Sequence, residues 1–98
     1  MQNIRKRNGD IVPFVRKKIE DAIHKANLES IDETFDGPIL NMLTDDVVAA
    51  ISSQEIPAVE FIQDTVEQVL IKHNYASTAK AFILYRAEHT KMRQAQGD

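Results

Sequence analysis

Asn8-Gly9 stands between two short apolar segments, Ile4 and the run Ile11–Phe14, and every apolar pattern after it has a helical period. Both residues tolerate positive φ, so the pair is a strong hairpin signal. A two-stranded hairpin is not stable alone and must lie on something else. Most of the remaining chain reads as helix, so the feature restricts the fold to a hairpin resting on helices. The loop sets the register. A two-residue loop puts Ile4 opposite Pro13 and leaves Val12 and Phe14 on the face of Arg5 and Arg7. A three-residue loop, Asn8-Gly9-Asp10, pairs Arg7 with Ile11, Lys6 with Val12 and Ile4 with Phe14. That register gathers Ile4, Val12 and Phe14 on one face and is preferred, with Gly9 or Asp10 forming a bulge. Lys6 then shares their face, while Arg5 and Arg7 point away.

Four helical segments follow. "VRKKIEDAIHKAN" places Ile19, Ala22, Ile23 and Ala26 on one face. "ESIDETFDG" is a turn-rich connection, after which Pro38 suits a first helical position. Ile39, Met42, Leu43, Val47, Ala50 and Ile51 form the next stripe, and "SSQEIP" interrupts it. Ile56, before Pro57, is a candidate third strand. Val59, Ile62, Val66, Val69 and Leu70 continue with helical spacing. Asn74 or Ser77 ends that segment, and "TAKAFILYRAEHTKMR" makes a last helix. The expected fold is α+β, mostly α: a four-helix bundle capped by a two- to three-stranded sheet. Residues 1–93 form the domain, and 94–98 read as a flexible tail or the start of a linker.

Charge is distributed unevenly along these 98 residues. The first 25 residues hold seven Lys/Arg and three acids, and the remaining 73 hold five and twelve, within an overall net charge of −3. A local anion site fits this better than a generally basic surface, so duplex nucleic acid is a poor partner. Arg16, Lys17 and Lys18 open the first helix, where the free N–H groups ordinarily favour acids. An anion between hairpin and helix removes the conflict. A merely solvated patch, with Arg5 or Arg7 paired to acids elsewhere, accounts for it equally well. No aromatic for base stacking stands out beside these cations.

Other chemistries lack their residues. There is no GxxxxGK[ST] loop, no GxGxxG and no HExxH, and cysteine is absent. His24, His73 and His89 have no ligand spacing and read as surface or helix-end residues. Asp45 and Asp46 diverge by roughly 100° on a helix and read as solvated acids rather than a catalytic pair. No apolar run reaches the roughly 20 residues of a membrane span. The N-terminus has no apolar signal region, so a cytoplasmic location is expected.

Three blocks in order, "IRKRNG" followed by "KKI", "VEFIQDTVEQVL" and "AKAFILYRAEHTKMR", resemble the ATP-cone domain over about residues 3–93. The resemblance implies the same small sheet on a four-helix bundle. It also implies an allosteric module that binds ATP or dATP, with Mg²⁺, and is not itself an enzyme. Such modules open ribonucleotide reductase large subunits, the anaerobic triphosphate class being the expected parent. In those enzymes ATP supports activity and dATP suppresses it, commonly through a change of oligomer. The implied partners are therefore an adenine nucleotide, a reductase catalytic domain or subunit, and further copies in a homo-oligomer, with no nucleic acid and no membrane. A zinc-ribbon repressor also carries the module, and the lack of cysteine argues against it.

By position, the resemblance implies that Ile4, Lys6 and Arg7 line the nucleotide site from the strand. Lys18 meets phosphate from the first helix, Ile62 and Gln63 lie near base and sugar, and Arg86 and Lys91 contribute from the last helix. No protein side chain is expected to hold a metal. Asn8 replaces the family's usual Asp and keeps the turn. Val59 and Val15 stand where some members have polar residues. Two other readings stay open: a stand-alone nucleotide-sensing partner, and a helical protein-interaction module without nucleotide affinity.

Overall fold

The computed structural model describes residues 2–95, with side chains described through Glu88. Two strands, β1 (Asn3–Arg5) and β2 (Ile11–Pro13), precede four helices: α1 (Arg16–Leu28), α2 (Gly37–Ile51), α3 (Val59–Lys72) and α4 (Ala76–Ala95). The helices form a closed ring of contacts, α1 on α2 and α4, and α3 on α2 and α4. Ile23, Leu43, Val47, Ile51 and Leu70 fill its centre and are fully buried. This is the expected mostly-α bundle with a small sheet. Ala50, expected in the α2 stripe, is exposed instead, and Thr44 is buried with its hydroxyl donating to the Leu40 carbonyl at 2.8 Å. α4 runs through Ala95; residues 96–98 of the expected tail lie outside the described residues.

The hairpin pairs Asn3 with Pro13, Ile4 with Val12 and Arg5 with Ile11. This is neither of the two registers considered from sequence. The cause is local. The Asp10 N–H donates to Asn8 Oδ1 at 3.0 Å, and the Gly9 N–H donates to the Lys6 carbonyl at 2.9 Å. These bonds, with Gly9 at φ +93°, fold residues 6–10 into a five-residue loop. Pairing has slid by two residues from the preferred register. A slip of two preserves the faces, so Ile4, Lys6, Val12 and Phe14 still share one side.

Ile56 is not a strand. The third contact falls two residues later, as a single parallel bridge between Arg5 and Ala58, with the Arg5 N–H donating to the Pro57 carbonyl at 3.0 Å. Pro57, lacking an N–H, offers only its carbonyl and stops the ladder there. The bridge nonetheless pins β1 beside the start of α3.

The connection at residues 29–36 is tightly held. Asn27 is buried; its Nδ2 donates to the Glu33 carbonyl at 2.9 Å and to Thr78 Oγ1 at 3.1 Å, and its Oδ1 accepts from the Phe35 N–H at 2.9 Å. The Glu33 carboxylate accepts from the Ser77 and Thr78 N–H groups at 3.1 and 2.8 Å and from the Thr78 hydroxyl at 2.7 Å. It therefore caps the N-terminus of α4 from a distant loop. Burial pushes the Glu33 carboxyl up, but the bonds from Thr78 and Ser77 outweigh it and bring the group below its ordinary value. Asp36 caps α2 locally, accepting from the Ile39 N–H at 2.9 Å.

Candidate nucleotide site between hairpin and bundle

The hairpin face, the start of α1 and the first turns of α3 enclose a groove of about 540 Å³ that α4 closes from behind. This lies within the usual range for small-molecule sites. Ile4, Lys6, Val12 and Phe14 reach it from the hairpin, Lys18 and Ala22 from α1, Val59, Ile62 and Gln63 from α3, and Phe82 and Tyr85 from α4. The lining is mostly apolar, with Lys6 and Lys18 as its cations and no carboxylate. Val15, the uncapped residue before α1, lies at its edge.

Five of the seven site residues expected from sequence meet here: Ile4, Lys6, Lys18, Ile62 and Gln63. Arg7 stands at the rim, its guanidinium donating to Gln63 Oε1 at 3.1 Å and lying 3.8 Å from Glu60. Arg86 is not among the lining residues. It bonds Asp64 at 2.8 Å and Glu67 at 2.7 Å, tying α4 to α3. Burial lowers its pKa, but the bonds to those carboxylates raise it overall, and it stays charged. The Lys91 side chain lies outside the described residues.

The cationic helix start resolves differently from expectation. Arg16 turns to α2, pairing with Asp45 at 2.8 Å and donating to Asn41 Oδ1 at 2.6 Å. Lys17 pairs with Asp21 one turn on, at 3.3 Å. Of the three, only Lys18 lines the groove, so an anion has one of these cations to meet rather than three. Asp45 and Asp46 likewise are not free: Asp46 Oδ2 lies 2.7 Å from His73 Nε2.

The aromatics of the groove were not evident in the sequence. Phe14, Phe82 and Tyr85 all line it. Phe14 could have been found, because the hairpin parity puts it on the face of Lys6. Tyr85 carried no signal beyond its place beside Arg86, since the closing helix has apolar residues around most of its surface. Among the described residues, no group of three His, Asp or Glu side chains could hold a metal. No described helix is long and apolar enough to cross a membrane.

The fold is thus a hairpin fixed on a helical ring, with a mostly apolar groove beneath it and two lysines at the groove. The match to the ATP cone domain runs over residues 2–91, and the chain belongs to that family. It is 37% identical over 99 residues to a vitamin B12-dependent ribonucleoside-diphosphate reductase of Thermoplasma acidophilum, covering 96% of this chain and 13% of that protein. It is also 37% identical over 102 residues to a ribonucleoside-diphosphate reductase subunit alpha of Treponema pallidum, covering 96% of this chain and 12% of that one. A vitamin B12-dependent ribonucleoside-diphosphate reductase of Mycobacterium tuberculosis is 32% identical over 93 residues, covering 95% of this chain and 13% of that protein. The chain thus spans only a small part of these relatives.

Proposed function

We propose that the groove binds an adenine nucleoside triphosphate, ATP or dATP, as an effector, and that the domain regulates a ribonucleotide reductase. One observation carries the reading: Lys6 and Lys18, from separate elements, line the same apolar, carboxylate-free groove. Two ammonium groups there favour an anion with an apolar body, which describes a nucleotide better than a free phosphate or an acidic peptide. Ile4 and Ile62 flank the base, and Phe14 or Tyr85 offers it an aromatic surface. Lys6 and Lys18 take the phosphates. Gln63, steadied by Arg7, reaches base or sugar. Arg86 holds α3 against α4 behind this group.

The lack of a lining carboxylate bears on the metal. Mg²⁺ would come in on the phosphate oxygens and keep its remaining waters, which suits its preference for phosphate and water ligands. Regulation requires that ATP and dATP favour different states of a larger assembly. The relatives named above are ribonucleoside-diphosphate reductases, which supports a reductase as the regulated body. They favour the diphosphate-reducing classes over the anaerobic class expected from sequence.

Thermal unfolding tests occupancy. A ligand that binds only the folded chain stabilises it by about 2.7 kcal/mol at a hundred times its Kd. ATP and dATP with Mg²⁺ should raise Tm by several degrees, and GTP by much less. No shift with any triphosphate contradicts the proposal and favours the protein-interaction reading.

A further inference from the structure

The cations around the groove are not all in the same state. Lys6 and Lys18 line it and form no ion pair among the described residues. Arg7, at the rim, is engaged twice. Its Nη2 donates to Gln63 Oε1 at 3.1 Å, and its Nη1 lies 3.8 Å from Glu60 Oε1. Glu60 and Gln63 are three residues apart on α3, so they are neighbours on one face. Arg7 reaches across from the hairpin loop and meets both. Gln63 itself lines the groove, which puts the guanidinium one side chain away from the ligand volume. The other acids on this part of α3, Asp64 and Glu67, bond Arg86 at 2.8 and 2.7 Å.

The two contacts of Arg7 differ in kind. The one to Gln63 is a hydrogen bond. The one to Glu60 is too long for that and leaves only Coulomb attraction. Both partners are part-exposed, at 32% and 43%, and such a pair contributes little to stability. Glu60 does have a local reason to be acidic, since it lies in the first turn of α3, where free N–H groups favour a negative charge. Yet the same carboxylate offsets the charge of Arg7 beside a groove whose own lining has no carboxylate. An anion in the groove therefore feels Lys6 and Lys18 in full, and Arg7 only after subtraction of Glu60.

We infer that Glu60 is a built-in counter-anion, which competes with the phosphates of an incoming nucleotide for Arg7 and so determines how the groove grades ligands by phosphate number. The inference deepens the nucleotide reading and rests on it. A guanidinium has five donors in a fixed fork, so Arg7 can keep its bond to Gln63 and still turn its remaining donors from Glu60 to a phosphate oxygen. A ligand whose base fills the apolar part of the groove reaches the rim only with the far end of its phosphate chain. A monophosphate stops short of Arg7 and is nearly indifferent to Glu60. A triphosphate reaches Arg7, must displace Glu60 from it, and is repelled by the carboxylate it displaces. Glu60 thus lowers affinity in proportion to phosphate number, and removing its charge tightens the triphosphate most.

Calorimetric titration with AMP, ADP and ATP in Mg²⁺ tests it, on the wild type, Glu60→Gln, Arg7→Ala and the double variant. Glu60→Gln keeps the size of a part-exposed side chain, and a thermal melt checks that it folds. At about 0.05 M salt it should tighten ATP by about three- to tenfold, ADP by less, and leave AMP within about twofold. Raising the salt to about 0.5 M should remove most of the gain. In the Arg7→Ala background the same substitution should change ATP affinity by less than about twofold, because the group that Glu60 competes for is gone. Three results overturn the inference while leaving the nucleotide reading in place: ATP binding that Glu60→Gln leaves unchanged or weakens, an equal gain for all three nucleotides, or a gain that persists without Arg7. A lower melting temperature with unchanged affinities is the first of these, and it reduces Glu60 to an acid serving the start of α3. A wild type that binds none of the three overturns both readings together.

Discussion

Lys18 and Glu33 are the residues whose roles differ most from what their neighbours in sequence suggest. Lys18 sits in a row of three cations, yet it is the one that reaches the groove, because Arg16 and Lys17 are engaged by Asp45 and Asp21. Lys18→Ala and Lys6→Ala should therefore each weaken triphosphate binding by about ten- to a hundredfold, the worth of one charge-assisted bond. Arg16→Ala, by contrast, should leave affinity within about threefold and show its effect in stability. Titration of the three variants with ATP distinguishes them. Glu33 lies in a turn-rich stretch and looks like a solvated acid, but it caps a helix more than forty residues away. Removing it should cost about 1–2 kcal/mol in urea unfolding. Its folded pKa is lowered from the ordinary 4.5, so its stabilisation is fully present above that value and is lost as pH falls through the folded pKa. The stability gap between the wild type and Glu33→Gln should then narrow as pH drops below about 4.5, and a gap that widens would contradict the assignment.

At the level of elements, patterns of burial were legible and partners were not. Ile19, Ile23 and Ala26 of α1 and Ile62, Val66, Val69 and Leu70 of α3 are buried as their spacing requires, with Ala22 and Val59 of the same stripes only half-buried, because a helix needs only its own period to declare a face. The hairpin's parity was legible for the same reason. Its register was not: Asn8 bonding to Asp10 enlarges the loop without changing which residues share a face. The cap that Glu33 places on α4 left no mark, since nothing local ties a residue to a helix that far along the chain. Asn74 did leave one, and it ends α3 in a left-handed turn at φ +66°, with the Tyr75 N–H donating to the Leu70 carbonyl at 2.9 Å. Asn74→Gly should be neutral or slightly stabilising in thermal melts, and Asn74→Val should cost about 1–2 kcal/mol.

Across the whole molecule, the groove depends on no single element. The hairpin brings Lys6 and Ile4, α1 brings Lys18, α3 brings Ile62 and Gln63, and α4 supplies the rear wall with Phe82 and Tyr85. The bridge from Arg5 to Ala58 keeps hairpin and α3 in fixed relation. The charge distribution alone fitted an anion site near the N-terminus and a solvated patch equally well, and the choice of a nucleotide came from the resemblance, since charge by itself does not distinguish phosphate carriers. The direct test is calorimetric titration of the chain with ATP, dATP and GTP in Mg²⁺, repeated on Lys6→Ala and Lys18→Ala. The account predicts micromolar binding of the adenine nucleotides, GTP weaker by about tenfold, and a large loss with either substitution. Equal, weak binding of every triphosphate, untouched by either lysine, would contradict it.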